Sequence, residues 1–221
     1  MSNNKNVFER LFKLWAMVCK LIMDGKRDPD AVADSLQVIV NEPVAKTSEP
    51  TEKFALLVDL GILTVPDDYD HAKQLAMFMK KNRKKFYGVN DNITDANFPN
   101  PSRILKPGDK LRVRAFKQIV KGNTTSEERM AFLATQKAIH TGAQGASLVF
   151  DQKRDQLPKG KWYASFDEKE RLWEDADGYH KVPDVDAGSD GGPYFILGRF
   201  ENVWYGVNAF FCFCDIEPSV A

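Results

Sequence analysis

The spacing of apolar residues changes near Tyr87, and this change most constrains how the chain folds. Before Tyr87, apolar residues recur every three or four positions, as on the buried face of an α-helix. The first such stripe is Val7, Phe8, Leu11, Leu14, Trp15, Val18, Leu21 and Ile22. After Tyr87, Lys110–Ala115 alternates charged and apolar residues, which is typical of a strand with one solvated face. Helices first and strands later predict an α+β protein.

Local start and stop signals divide the first part into four short helices. Gly25 is expected to end the first helix, and Asp28 to cap the second. A third helix is predicted over 52–60, and a fourth after Pro66, running into a basic stretch. Short amphipathic helices joined by short turns predict a compact bundle. Residues 1–88 are therefore assigned to a small N-terminal helical domain.

The second part predicts a different architecture. Residues 89–103 are rich in Asn, Asp and Pro and are expected to form an irregular connection. Residues 104–221 are then expected to form a mixed or antiparallel β-sheet domain with one or two helices. Thr125 and Glu128 form a capping box, which predicts a helix running to about Ile139. Further strands are predicted at Ala146–Phe150, Trp162–Phe166, Tyr194–Phe200 and Val203–Phe213.

The last of these strands, Val203–Phe213, is apolar on both of its faces. A strand of this kind must be covered on each side by other elements. We therefore expect it at the centre of the sheet or between two layers.

Charge is unevenly distributed, although the chain holds 31 basic and 31 acidic residues and is formally neutral. Lys80–Lys121 contains twelve Lys or Arg against three Asp, whereas Asp167–Ala221 contains twelve acidic residues against four basic ones. Overall neutrality removes any general bias towards nucleic acid or an anionic membrane. The two blocks either face each other and cancel, or form separate faces for separate partners.

The densest part of the basic block is KKNRKKFYG, in which five of the first six residues are cationic. One or two cations at a helix C-terminus are explained by the helix dipole, but five exceed that need. Cations followed by aromatic residues suit phosphate contact and base stacking. We therefore predict a non-enzymatic binding or regulatory protein whose basic face engages nucleic acid or an acidic protein partner. The candidate contacts are Lys80, Lys81, Arg83, Lys84, Lys85, Arg112 and Arg114. The alternative interpretation is that this run is only the solvent-exposed end of a helix and binds no partner.

Two alternative functions stay open. A small-molecule or glycan hydrolase would use His140, or carboxylates such as Asp167, Glu168 and Asp177, which lie near several aromatic residues. A cleft that gathers His140 with these carboxylates would favour this alternative. The second alternative function is that of a self-assembling structural protein, in which the final strand or the first helix packs against a second copy.

No metal or other cofactor is expected. The three histidines are far apart in sequence, and Cys212 and Cys214 lack the second pair of ligands that structural zinc requires. Both cysteines are instead expected in the core. The acidic loop Asp184–Asp190 departs from the calcium-loop pattern, so we interpret it as a surface loop.

The cellular setting is expected to be the cytoplasm. Three cysteines are too few for a disulfide framework, which favours a reducing compartment. Charged residues interrupt the apolar N-terminus, so no secretory signal is predicted, and no segment is long and apolar enough to span a membrane. The oligomeric state is left open.

Four stretches resemble an uncharacterised family of hypothetical bacterial proteins from environmental genomes. They are VPDDYDHA (Val65–Ala72), FPNPSRILKPGD (Phe98–Asp109), TGAQGASLVFDQKRDQLPKGKWYASFDE (Thr141–Glu168) and NAFFCFCD (Asn208–Asp215). The resemblance covers most of the chain after about residue 50. It implies a bacterial, cytoplasmic protein, and it implies no activity and no functional residues.

Overall fold

A computed structural model describes residues 3–34, 53–188 and 192–216 of the chain. The chain divides into two compact units, Met1–Glu49 and Pro50–Ala221. None of the described helices is both long and apolar enough to cross a membrane.

The first unit contains helix α1, Asn3–Met23, and the start of helix α2, described over residues 29–34. Gly25 ends α1 with φ +66°, and its N–H donates to the carbonyl of Ile22 at 3.0 Å, as predicted for a helix C-terminus. Asp28 caps α2, since its Oδ1 accepts from the N–H of Asp30 at 3.2 Å. The rest of the second predicted helix lies outside the described residues.

In its described residues, the second unit contains one mixed β-sheet and three α-helices. The helices are α3 (Gln74–Asn82), α4 (Ser126–Thr135) and α5 (Gly142–Lys153). The strands are β1 (Phe54–Thr64), β2 (Gly88–Val89), β3 (Lys110–Gln118), β4 (Trp162–Ala164), β5 (Trp173–Glu174), β6 (His180–Asp186), β7 (Tyr194–Arg199) and β8 (Asn208–Asp215). Their order is β1-β3-β8-β4-β6-β7-β2, with β5 paired to β6. The β4–β8 and β2–β7 pairs are parallel and the others antiparallel. The α+β class and the mixed sheet are therefore confirmed.

Strand β8 lies inside the sheet and separates two hydrophobic cores. Phe211 and Phe213 belong to the core beneath α3 and α5, and Phe210 and Cys212 belong to the core beneath α4. All four are at most 3% exposed. The prediction of a central strand covered on each side is confirmed, although the strand begins at Asn208 and not at Val203.

The helix predicted over 52–60 is wrong, because Phe54–Thr64 forms β1 and pairs with β3. A short apolar run is compatible with a strand as well as with a helix, and the pairing decides between them. Gly61 does not end a helix but adopts φ +69° at a register shift in β1, where its N–H donates to Asp59. Residues 53–88, which the sequence pattern assigns to a helical domain, lie in the second unit. The predicted four-helix bundle is thus not the observed arrangement.

The strand predicted at Ala146–Phe150 is also wrong, since these residues lie within α5. Every residue from Gly142 to Phe150 is buried, so this part of the helix has no solvated face to produce a helical period. Gly142 begins α5 with φ +59°.

The capping box is confirmed at α4. The Thr125 hydroxyl accepts from the N–H of Glu128 at 3.2 Å, and the Glu128 carboxylate accepts from the N–H of Thr125 at 3.0 Å. The helix ends at Thr135, earlier than expected, because Lys137 adopts φ 52° and turns the chain back towards the sheet. The Ile139 N–H then donates to the carbonyl of Phe213 at 2.8 Å.

Gly198 on β7 lies directly beneath Trp204 in the core under α4. A Cβ at this position would lie 2.7 Å from Cη2 of Trp204, whose indole N–H is fixed by a 2.8 Å bond to Ser126. We expect Gly198→Ala to lower the free energy of unfolding by roughly 1–3 kcal/mol through overpacking. Urea denaturation measures this change. Gly206→Ala is the matched control, since its Cβ meets nothing within 4 Å, and an equal loss in both variants would contradict the prediction.

Candidate nucleic-acid interface

The basic run lies at the end of α3, on the α5 side of the sheet. Helix α3 packs on the core through Leu75 and Phe78, which leaves Lys80 and Lys81 exposed in its last turn. Arg83–Lys85 follows as a single 3₁₀ turn. Because the run finishes a helix whose apolar face is buried, its cations are directed into solvent.

Two lysines of the run have partners within the protein. Lys81 pairs with Asp151 at 3.2 Å, and Lys85 donates to the side chain of Asn82 at 2.7 Å. Buried Asn82 in turn donates to Asp151 at 2.8 Å, so these contacts join the end of α3 to α5. Lys81 and Lys85 therefore take part in the polar contacts between α3 and α5.

The other three cations, Lys80, Arg83 and Lys84, are exposed. Within residues 3–34, 53–188 and 192–216, none of them has a carboxylate within 4.0 Å. The helix end thus carries three positive charges that are not neutralised by the described part of the protein.

An aromatic row begins directly after the run and consists of Tyr87, Tyr194 and Trp162. The ring of Tyr87 is 5.3 Å from that of Tyr194, which is 5.6 Å from that of Trp162. Tyr87 is 72% exposed, and the other two are partly buried. Gly88 permits this packing, since a Cβ there would lie 2.8 Å from the Tyr194 ring. The sequence pattern singles out Tyr87 but gives no reason to join it to the two distant rings.

The other predicted contacts, Arg112 and Arg114, lie on the opposite face of the sheet. The alternate residues of β3 fill the core beneath α5, so its arginines are directed to the other side. Arg112 pairs with Asp59 at 2.5 Å, and Arg114 donates to the Cys214 sulfur at 3.4 Å.

The two arginines are also far from the aromatic row along the strands. Arg112 pairs with Cys214 near one end of β8, whereas Trp162 pairs with Asn208 at the other end. The structure therefore gathers Lys80, Lys81 and Arg83–Lys85 but does not bring Arg112 and Arg114 to them. The seven candidate residues form two separate surfaces.

The basic and acidic blocks do not cancel by direct pairing. Among the described residues, one ion pair joins them, Arg103–Asp215 at 3.7 Å. The acidic block satisfies several of its own charges internally, for example Lys181–Asp175 at 2.7 Å. Of the two arrangements that the sequence leaves open, separate faces fit these contacts better.

The candidate hydrolase residues are brought together only in part. Asp167 is near enough to His140 to interact electrostatically, but it is 1% exposed. The Asp167 carboxylate accepts bonds from the backbone and hydroxyl of Ser102 and from the N–H of Glu168. Burial raises its pKa, although these hydrogen bonds oppose the shift. Asp177 is exposed in the turn between β5 and β6. The buried carboxylate thus serves as an acceptor for two backbone segments.

The sequence pattern gives no indication of two ionisable residues, Arg129 and Asp184, that are buried beneath α4. Arg129 is fully buried and donates to the Thr124 hydroxyl at 3.0 Å, to Gln118 at 3.3 Å and to the carbonyl of Asn208 at 3.1 Å. Asp184 is 3% exposed, and its Oδ1 has no hydrogen-bond partner in the described residues. Burial raises the pKa of Asp184 to about 8, although the charge of Arg129 opposes the shift.

Among residues 3–34, 53–188 and 192–216, no group of three or more His, Cys, Asp or Glu residues is arranged to hold a metal ion.

Comparison of the chain with protein-family models, with curated proteins and with solved structures gives no match.

Asp184 gives the stability a specific pH dependence. Between about pH 4 and pH 8 the unfolded chain has lost this proton while the folded protein retains it, so folding becomes less favourable as pH rises. Asp184→Asn removes the titration. We expect the free energy of unfolding of Asp184→Asn, measured relative to that of the wild type, to increase from pH 4 to pH 8. The increase should be at most about 1.4 kcal/mol per pH unit.

Urea titrations across this pH range measure the difference. Asp177→Asn, which removes an exposed carboxylate, should retain the wild-type profile. A constant difference between Asp184→Asn and the wild type at every pH would contradict the prediction.

Proposed function

We propose that the protein is a non-enzymatic nucleic-acid-binding protein that holds single strands at the end of α3. The observation that carries the proposal is the set of three exposed cations, Lys80, Arg83 and Lys84, without carboxylate partners in the described residues. A charge cluster neutralised within the fold would need no ligand, whereas this one remains available to phosphates.

The aromatic row favours nucleic acid over an acidic protein. Tyr87 is separated from Lys85 by one buried residue, and its exposed ring continues through Tyr194 to Trp162. Bases stack on aromatic rings in a way that tolerates any sequence, and they are accessible for stacking only when unpaired. Cations beside an aromatic row therefore support a single-stranded ligand whose backbone follows α3.

The number of cations without a carboxylate partner in the described residues determines the expected affinity for a single strand. Three phosphate contacts to a single strand correspond to a salt slope of about −2 in log K against log salt. Binding should therefore be weak at physiological salt and easily measured at low salt. Arg112 and Arg114 are not part of this surface.

Removal of the three cations tests the proposal. We expect Lys80→Gln/Arg83→Gln/Lys84→Gln to weaken binding of a labelled mixed-sequence single-stranded oligonucleotide by about tenfold or more at 50 mM salt, and to flatten the salt dependence. Fluorescence anisotropy measures both effects.

The matched control removes three exposed lysines elsewhere, as Lys106→Gln/Lys110→Gln/Lys121→Gln. The change in net charge is the same, so an equal loss in both triple variants would show general charge attraction and would overturn the site. Wild-type protein that does not bind at low salt would overturn the function.

Tyr87 distinguishes a nucleic acid from an acidic protein. Tyr87→Ala should cost roughly 1–3 kcal/mol of binding to a single strand, and Tyr87→Phe should retain the affinity because the stacking face is kept. If polyglutamate competes as well as the oligonucleotide and Tyr87→Ala binds normally, the partner is an acidic polypeptide and the proposal fails.

A further inference from the structure

Two cysteines lie side by side at the edge of a cleft formed by β1, β3 and β8. Cys212 and Cys214 occupy alternate positions of β8, so their side chains share one face, and their sulfur atoms are 3.6 Å apart. Cys212 is 1% exposed, whereas Cys214 is partly exposed and lines a cleft of about 860 Å³. One thiol is thus accessible and the other lies directly behind it.

Arg114 supplies positive charge to the accessible thiol. Its guanidinium donates to the Cys214 sulfur at 3.4 Å, and its buried Nε has no hydrogen-bond partner in the described residues. No carboxylate lies within 4.0 Å of Arg114 in that part of the chain. A partly buried guanidinium without a carboxylate is stabilised by a neighbouring thiolate, so this contact favours the ionised form of Cys214. The carbonyl of Gln136, 3.5 Å from the sulfur, and the charge of Asp215 act in the opposite direction.

The two thiols are expected to differ in reactivity. A hydrogen bond from the Cys212 thiol, with a further one from Arg114, lowers the pKa of Cys214 to about 6. The same contact with Cys214, together with burial, raises the pKa of Cys212. At neutral pH Cys214 is therefore a nucleophilic thiolate, and Cys212 retains its proton.

We propose that Cys214 and Cys212 form a dithiol that exchanges with the disulfides of small acidic thiols bound in this cleft. The Cys214 thiolate attacks one sulfur of the bound disulfide, which breaks its S–S bond and releases the first thiolate. Cys212 then attacks the Cys214 sulfur in the mixed disulfide and releases the second thiolate, which takes up the proton of Cys212. The bound disulfide is reduced to one thiolate and one thiol, and the protein is oxidised to the Cys212–Cys214 disulfide.

The charges around the cleft select the ligand. Arg112, Arg114 and Lys137 line it, against Asp59 and Asp215. Each of these carboxylates already has an arginine partner, since Asp59 pairs with Arg112 and Asp215 pairs with Arg103. With Arg112 paired to Asp59 and Arg114 beside the Cys214 thiolate, Lys137 is the charge among these lining residues that is left for a ligand, which suits carboxylate-bearing compounds.

The product disulfide is expected to be easily reduced. Alternate residues of an extended strand have Cα atoms about 6.6–6.8 Å apart and nearly parallel Cα–Cβ bonds, whereas a disulfide needs Cβ atoms within about 4.5 Å, so closure requires β8 to bend locally between the two cysteines. Strained disulfides of this kind have more oxidising potentials than structural ones. The bond would therefore open again in a reducing compartment, as a reversible cycle requires.

The first test measures the thiolate directly, in a Cys19→Ser background that leaves only this pair. Alkylation of Cys214 by iodoacetamide, located by peptide mass spectrometry, should reach half of its maximal rate near pH 6. Arg114→Gln should move this midpoint upwards by about one pH unit or more, because the thiolate loses its cationic neighbour. Arg112→Gln is the matched control and should leave the midpoint unchanged, since the Arg112 guanidinium donates to Asp59 and not to the Cys214 sulfur.

The second test follows the exchange itself with oxidised glutathione as the probe. The mass of the wild-type protein should decrease by two hydrogens, with no glutathione attached. The Cys212→Ala variant should instead retain one glutathione on Cys214. Half-maximal alkylation above about pH 8, as for an ordinary thiol, overturns the proposal. It is equally overturned if the wild-type pair retains the adduct without closing the disulfide, a result that does not depend on how any variant folds.

Discussion

Strand β8 is paired on each edge and covered on each face, and the arrangement of the sheet unit depends on this double burial. Its pairing with β3 brings β1 and β3 to one side, and its parallel pairing with β4 brings β6, β7 and β2 to the other. Its alternating side chains define the core under α5 and the core under α4. Because side chains alternate along a strand, this one element also determines which face each neighbouring arginine and cysteine occupies.

Much of the fold is predictable wherever a local signal agrees with the tertiary context. The capping box at Thr125, the alternation of β3 and the apolar β8 each specify one structure, and all three are found. The errors fall on β1 and α5, which are short apolar runs whose type is set by the neighbours that cover them. Strand β6 is not predicted, because its buried Asp184 and Asp186 make it look like a polar loop.

The candidate sites are less predictable, because a side chain's partner is a tertiary property. The sequence locates the basic run, but only the fold shows that Lys81 has a carboxylate partner while Lys84 does not. Arg114 and Cys214 are 100 residues apart in the chain, and no local spacing connects them. The prediction that Cys214 belongs to the core follows from the usual burial of cysteine, and it is the register of β8 against β3 that brings this thiol to a cleft.

The two register shifts in β1 also affect how readily this strand can pair with the edge of another molecule. Within the described residues β1 pairs only with β3, and its Leu56 and Ile62 side chains are exposed. A flat, regular strand with these properties would be prone to pair with the edge of another molecule. The shifts at Leu56/Val58 and Asp59/Gly61 twist the strand and interrupt its row of regularly spaced donors and acceptors. The charged pair Asp59–Arg112 lies at the second shift. An irregularity that hides β1 from helix and strand patterns alike thus makes a long apolar edge less suited to serve as a template for aggregation.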